Sequence, residues 1–198
     1  MEDLDYPEFL MYYIKNLDEK IRRFASANDI LKEIKENYVG EIYSYKYDIR
    51  CLITYLNKQN VDTSRENNQL IEEIKQWGKI EKKYKVEIAD SLQEGLKDSL
   101  IKYRACVDFF SLDDSEASYT LWVRDWIEEC HITLKNEFGR DVTDSEREVK
   151  EIDEKFKKIY HKNKEGIIAV LPIYEYPPYY PDSFWWRHPL KLFSGEIK

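Results

Sequence analysis

The chain is 198 residues long and carries 39 acidic and 31 basic side chains, which gives a net charge of −8. A chain of this length folds as one domain with a sizeable core. Its negative charge repels phosphate backbones and therefore disfavours nucleic acid as a ligand. Aromatic residues make up 15% of the sequence, and a share this high excludes a disordered chain.

The cysteines and the apolar runs indicate the cellular compartment. Cys51, Cys106 and Cys130 are odd in number and far apart in the sequence, which is typical of reduced thiols and not of a disulfide framework. The first residues lack an apolar signal segment, and the longest apolar run, Ile167–Leu171, is too short to cross a bilayer. We therefore expect a soluble, cytoplasmic protein that does not contact a membrane.

Apolar residues recur every three or four positions through most of the chain, which is the spacing of a helix face that packs on a core. In chain order, this pattern predicts helices over Leu10–Phe24, Leu31–Leu56, Leu70–Trp77, Leu92–Val107, Tyr119–Phe138 and Glu146–Tyr160. Polar stretches predict loops over Asn57–Asn68 and Ser111–Ser118. The pattern leaves open whether the third and fourth stripes belong to one long helix or to two.

Single residues add local detail to these helices. Gly40 lies inside the second predicted helix, where glycine disfavours helix by about 1 kcal/mol relative to alanine. It therefore predicts either a kink or a close contact with another helix. Thr143, followed three residues later by Glu146, matches a capping box and predicts that the last helix starts there.

The C-terminal residues differ from the rest of the chain. Five of the six prolines fall between Pro172 and Pro189, among many aromatic side chains. Because proline disfavours helix interiors and its neighbours prefer extended backbone, we expect a non-helical segment here. Trp185 and Trp186 would then point to opposite sides of an extended chain and pack on the helices. The alternative is that Trp185, Trp186 and Arg187 form an exposed anchor for a partner, since these residue types often dominate binding.

These patterns together predict an all-α protein. Residues 1–166 are expected to form an antiparallel bundle of five or six helices. Residues 167–198 are expected to form an extended, aromatic strap that packs on the bundle, so that the whole chain is a single domain.

One pair of residues suggests an enzyme. Arg124 and His131 are seven positions apart on a predicted helix, so both lie on the same face. The spacing resembles the Arg-x(4–6)-His signature of HEPN-type ribonucleases, which are all-helical and cleave RNA without a metal ion. The resemblance implies that His131 would act as a general acid or base and that Arg124 would hold the phosphate.

The sequence offers little support for a metal or a cofactor. Glu128 and His131 have the Glu-x-x-His spacing of di-iron bundles, but a second such pair is missing. The chain also lacks a glycine-rich phosphate loop, a nucleophile-elbow motif and a Cys-x-x-Cys motif. We therefore expect neither a metal site nor a bound cofactor.

An acidic helical chain without a catalytic motif suits a protein that binds another protein. Its concrete form would be a bacterial immunity- or antitoxin-like inhibitor that covers the basic active site of a nuclease. The expected partner is a basic protein, and the HEPN-type ribonuclease is the alternative function. The residues predicted to bind the partner are Asp113, Asp114, Glu116, Asp125, Glu128, Glu129, Trp185, Trp186 and Arg187.

Overall fold

The structure is a computed structural model that describes residues 5–36, 38–170 and 178–197. Within these residues every regular element is a helix and no strand occurs, which confirms the all-α prediction. The α-helices are α1 (Tyr6–Ser26), α2 (Ile30–Lys35), α3 (Tyr38–Lys58), α4 (Ser64–Lys83), α5 (Lys85–Asp108), α6 (Asp114–Asn136), α7 (Thr143–Lys162), α8 (Lys164–Val170) and α9 (Pro189–Ser194). A 3₁₀ helix over Trp185–Arg187 precedes α9.

Helix α1 forms where the apolar stripe predicted a helix. Its N-terminus is capped by the Asp5 carboxylate, which accepts a hydrogen bond from the Glu8 amide at 3.0 Å, and Pro7 lies in the first turn. The predicted stripe is the buried face of the helix: Leu10, Ile14, Leu17, Ile21 and Phe24. This face packs against α3 and α4.

The second predicted helix is divided in two, which corrects the prediction of one helix over Leu31–Leu56. Helix α2 ends at Lys35 and α3 begins at Tyr38. In a continuous helix the Ile34 carbonyl would accept a hydrogen bond from the amide of Tyr38. The Ser91 hydroxyl of α5 donates to that carbonyl at 2.7 Å. A side chain distant in sequence thus donates a hydrogen bond to a carbonyl near the C-terminal end of α2.

Side-chain caps also make both predicted loops shorter than expected. The Asp62 carboxylate accepts from the Ser64 amide at 3.0 Å, and helix α4 starts at Ser64 inside the predicted loop. The Asp113 carboxylate does the same for Ser115 at 3.0 Å, near the start of α6. At α7 the predicted capping box is replaced by Asp141, which accepts from the Thr143 amide at 2.9 Å.

The helices pack in two groups that α3 connects. Helix α1 contacts α3 and α4, helix α5 contacts α6 and α7, and α3 contacts both α5 and α6. In the first group Trp77 is fully buried between the rings of Phe24 and Tyr43, and its indole donates to the Tyr43 hydroxyl at 3.3 Å. The antiparallel order of the bundle stays a prediction.

The C-terminal part is not the continuous non-helical strap that the sequence predicted. Helix α8 runs through the predicted boundary to Val170, and α9 follows the 3₁₀ helix. Pro189 is compatible with α9 because it lies in the first turn, where its missing amide hydrogen is not needed. Trp185 and Trp186 lie on the 3₁₀ helix and not on an extended chain, and both are buried. Residues 171–177, which include Pro172, lie outside the described residues.

Gly40 marks a close contact between helices and not a kink. A Cβ atom added there would overlap the indole ring of Trp126 on α6. We expect Gly40→Ala to lower the free energy of unfolding by about 1–3 kcal/mol, although alanine favours helix by about 1 kcal/mol. Urea denaturation measures this change.

Gly78 is the matched control, because it also lies within a helix but no described atom lies within 4 Å of its added Cβ. Gly78→Ala should raise the free energy of unfolding by about 0.5–1 kcal/mol. The close contact would be contradicted if Gly40→Ala were as stable as Gly78→Ala.

Candidate functional site

A buried ion pair attaches the C-terminal residues to the bundle. Arg187, on the 3₁₀ helix, donates from Nε to Oδ2 of Asp125 on α6 at 3.0 Å, and its Nη2 also donates to this oxygen. The indole of Trp186 donates to the other oxygen, Oδ1, at 2.7 Å. Both charged side chains are more than nine-tenths buried. Both oxygens of the Asp125 carboxylate therefore accept hydrogen bonds inside the molecule.

Further contacts hold residues 178–197, which we call the C-terminal segment. The Tyr180 hydroxyl donates to Oδ1 of Asp48 on α3 at 2.7 Å, and the ring of Tyr180 stacks on Phe184 at 4.9 Å between centroids. The Tyr160 hydroxyl of α7 donates to the carbonyl of Trp186 at 3.1 Å. The segment is thus bonded to α3, α6 and α7 at once.

These contacts correct part of the predicted partner-binding set. Five of its members are buried: Asp125, Glu129, Trp185, Trp186 and Arg187. Trp185, for example, packs against the rings of Phe156 and Tyr160 at 5.8 Å. An exposed anchor made of Trp185, Trp186 and Arg187 is therefore wrong for this structure.

The guanidinium group of Arg124 also makes several contacts inside the molecule. Its Nε and Nη2 donate to Asp153 of α7, each at 3.0 Å, and its Nη1 donates to Glu128 at 3.0 Å. The guanidinium carbon lies 3.9 Å from the centroid of the Trp186 ring, a cation–π distance. The Tyr103 hydroxyl donates to the same Asp153 carboxylate at 2.8 Å. Arg124 thus joins α6, α7 and the C-terminal segment.

His131 lies in an environment that favours its neutral form. It is buried, and its Nε2 lies 2.9 Å from the Ser145 hydroxyl. Burial lowers the pKa of His131 to about 4, and the positive charge of Arg124 contributes to this decrease. A histidine with this pKa is neutral near pH 7, whereas an efficient general acid or base has a pKa close to the working pH. The catalytic roles of Arg124 and His131 stay a prediction.

A cavity lies between α1, α3, α5, α6 and the residues after 178. Its volume is about 780 Å³, within the range of small-molecule sites. Eight of the residues that line it are aromatic: Tyr12, Tyr13, Tyr45, Tyr119, Trp122, Trp126, Tyr179 and Tyr180. Its ionisable carboxyl and basic side chains are Glu41, Asp48, Asp125, Glu129, Lys102 and Arg187.

Two of these carboxyl groups have raised pKa values. Burial raises the pKa of Asp48 to about 7, and the nearby Asp125 adds to this rise, while the hydrogen bond from Tyr180 opposes it. Burial also raises the pKa of Glu129 well above its ordinary value, with further contributions from Asp48 and Asp125. The Oε2 atom of Glu129 is buried and has no hydrogen-bond partner among the described residues. The cavity thus holds more carboxyl groups than its own cations neutralise.

An exposed surface lies next to the cavity on the N-terminal half of α6. The rings of Tyr119 and Trp122 stack with 5.9 Å between centroids, and the two side chains remain 44% and 58% exposed. Asp113 and Glu116 are exposed in the turn that starts this helix. Asp114 begins α6, but its side chain lies outside the described part of the structure. We call the exposed surface of Asp113, Glu116, Tyr119 and Trp122 the α6 face.

The sequence analysis missed Asp48 and Asp153, although the sequence contains a weak signal for both. Asp48 follows Tyr45 by three residues and directly precedes Ile49, so it borders the buried stripe of α3. Asp153 lies next to Ile152 and three residues before Phe156 on α7. A carboxylate at core spacing is rare unless it is paired, and this spacing indicates a buried polar contact.

Other kinds of site find little support. In the described ranges no group of histidine, cysteine and acidic side chains is arranged to hold a metal ion, and the three cysteines are free thiols. Among the described helices, none combines the length and the apolar character of a membrane span. The chain matches no protein-family model, no curated protein and no solved structure with which it was compared.

Proposed function

We propose that the chain works by binding a basic protein partner through the α6 face. The observation that carries this proposal is the stacked pair of Tyr119 and Trp122, which leaves two large rings exposed on a rigid helix. Tryptophan and tyrosine are enriched among the residues that dominate protein–protein binding. A well-ordered aromatic pair also loses little conformational entropy when a partner covers it.

The charge of the chain supports a basic partner. Asp113 and Glu116 border the aromatic pair, and the whole chain carries a net charge of −8. Complementary charge accelerates association and discriminates against acidic partners. An immunity- or antitoxin-like inhibitor that covers a basic nuclease is the form of this proposal that the charge favours.

The alternative ribonuclease gains no support from the described residues. Arg124 donates to two carboxylates and stacks on Trp186. An RNA phosphate would have to displace these contacts, at the cost of leaving buried carboxylates unpaired. We therefore place the function at the α6 face and not at Arg124 and His131.

The partner is identified by photo-crosslinking from position 122 in cells that express the chain. A benzophenone amino acid replaces Trp122, and a second variant carries it at exposed Val86 of α5 as a control. The protein captured only from position 122 is then purified, and its binding to the unmodified chain is measured. A captured protein supports the proposal only if it is basic and passes the kinetic test that follows.

We expect the double variant Asp113→Asn and Glu116→Lys to slow association with this partner several-fold at about 0.02 M salt. The cause is the loss of electrostatic attraction, and the effect should shrink near 0.15 M salt, where the Debye length is only about 8 Å. The asparagine introduced at position 113 retains a side-chain oxygen for the helix cap. Stopped-flow or surface-plasmon measurements give the association rate.

The first turn of α4 supplies a matched control. Asp62 accepts hydrogen bonds from the amide and the hydroxyl of Ser64, as Asp113 does from Ser115. Asp62→Asn with Glu66→Lys changes the net charge equally but leaves the α6 face intact. Equal slowing by both double variants, or none by either, would refute recognition through the α6 face.

A further inference from the structure

We infer that the cavity beside the α6 face binds the ammonium or guanidinium group of an organic cation. The inference depends on the wall of the cavity and not on the proposed protein partner. Tyr119 and Trp122 belong both to the α6 face and to the wall of the cavity, but Asp113 and Glu116 lie outside that wall and Glu129 lies within it. Variants of these acidic residues therefore let the two ideas fail separately.

Glu129 is the first reason. It lines the cavity, is 3% exposed, and its Oε2 has no hydrogen-bond partner among the described residues. A buried carboxylate oxygen without a donor is costly, and native structures rarely retain one without a purpose. A cation that enters the cavity would offer a donor beside Glu129 and compensate the negative charge that this group gains when it ionises.

The surrounding charges favour a cation over an anion. Asp48 and Glu41 line the same cavity. Of the two basic residues in its wall, Arg187 already forms a two-atom contact with Asp125. This leaves Lys102 against three carboxyl groups. Once Asp48 and Glu129 ionise, a phosphate or carboxylate ligand would meet net repulsion, whereas a positive group would meet net attraction.

The aromatic wall restricts the cation to an organic one. Rings from α1, α3, α6 and the C-terminal segment surround the cavity, among them Tyr45, Trp126 and Tyr179. The faces of such rings attract ammonium and guanidinium groups. They offer no set of oxygen ligands for Mg²⁺ or Ca²⁺, and no metal-binding group occurs among the described residues. A volume of about 780 Å³ leaves room for an alkyl chain behind the charge.

Cation binding should be coupled to proton release. A positive ligand beside Asp48 and Glu129 favours the ionised form of both groups, whose pKa values burial has raised. Asp125 and Arg187 face them from α6 and the C-terminal segment, while Glu41 and Lys102 face them from α3 and α5. Affinity is therefore expected to rise between about pH 6 and about pH 8.

The test uses butylammonium and butylguanidinium as probes and butanol as a neutral control of similar length. The whole chain is titrated with each compound while the indole N–H signals of its tryptophans are followed by NMR. We expect saturable shifts of the Trp122 and Trp126 signals with both cations, and none with butanol. Calorimetry in two buffers of different ionisation enthalpy measures the protons released.

Two variants make the test specific. Glu129→Gln removes the charge but keeps the shape, and we expect it to weaken cation binding at least about tenfold. Glu73→Gln is the matched control, because Glu73 is also buried with an unpartnered Oε2 among the described residues but does not line the cavity. It should leave binding unchanged. A thermal melt of each variant establishes that it is folded.

The cation could belong to a side chain of a protein or to a small molecule. Two capped pentapeptides, each with a single central arginine or lysine between glycines, are titrated to distinguish these sources. Peptide binding as tight as that of the free cations assigns the site to a side chain of a protein. Free cations that bind while the peptides do not assign it to a small molecule. Three results would overturn the inference. They are butanol binding as tightly as butylammonium, an equal loss of cation affinity in both glutamate variants, and no binding at about 50 mM cation.

Discussion

Arg187→Met is expected to lower the free energy of unfolding by about 3–5 kcal/mol near pH 7. The substitution removes the guanidinium that donates to Asp125 and leaves that carboxylate buried, with the indole of Trp186 still donating to it. Most of the cost comes from the unpaired charge and not from the lost attraction. Urea denaturation followed by tryptophan fluorescence measures the change.

The size of this effect distinguishes a buried pair from a surface pair. Arg140 and Asp90 also join distant parts of the chain, with Nη2 and Oδ1 2.6 Å apart, but both are partly exposed. Arg140→Met should therefore cost at most about 1 kcal/mol. Adding Asp125→Asn to Arg187→Met should recover part of the loss, because the unpaired carboxylate is then removed. Equal costs at Arg187 and Arg140 would contradict the burial of the Asp125 pair.

The helix faces could be predicted because core side chains repeat with the period of a helix. The stripe from Leu10 to Phe24 is the buried face of α1 for this reason. The hydrogen bond from Ser91 to the Ile34 carbonyl near the end of α2 could not be predicted in the same way, because the two residues lie 57 positions apart in the chain. Local patterns contain no information about a partner at that distance.

The candidate site was harder to predict than the fold. Asp125 and Glu129 on α6 were predicted as partner-binding acids, although each directly precedes a residue of the predicted apolar stripe, Trp126 or Cys130. The burial of Asp125 depends on Arg187, which is 62 residues away in sequence. The proline-rich C-terminal composition indicated extended backbone, yet Pro189 opens a short helix. Composition therefore predicted where the chain changes character, but not which contacts the new segment makes.

The docking of the C-terminal segment and the state of the cavity depend on the same side chains. Arg187 neutralises Asp125, and Tyr180 donates to Asp48. All four residues line the cavity, and the two contacts influence how much negative charge remains within it. A ligand that binds there would act on residues that also hold the segment in place.

Asp48→Asn is expected to raise the free energy of unfolding by up to about 4 kcal/mol near pH 8, and to leave it nearly unchanged near pH 4. The folded chain binds a proton on Asp48 more tightly than the unfolded chain, because burial raises the pKa of this group from 3.8 to about 7. This contribution to stability is complete below about pH 4 and is lost as the pH rises to about 7. Asparagine does not ionise, so it removes this loss.

The substitution is chosen to keep the structure around Asp48. The side-chain oxygen of asparagine can still accept the hydrogen bond that Tyr180 donates at 2.7 Å. It also relieves the repulsion between Asp48 and its neighbours Asp125 and Glu129. The gain should therefore appear as a dependence on pH and not as a uniform shift. Urea denaturation of both proteins near pH 4, 6 and 8 resolves it.

Asp98 provides the control, because it is an exposed carboxylate on α5 to which the same substitution can be applied. Asp98→Asn should change the free energy of unfolding by less than about 0.5 kcal/mol at each pH. A loss of stability in Asp48→Asn near pH 8 would contradict the expected result, because it would mean that the folded chain stabilises the ionised form of Asp48. The cavity would then lack the excess of negative charge on which cation binding depends.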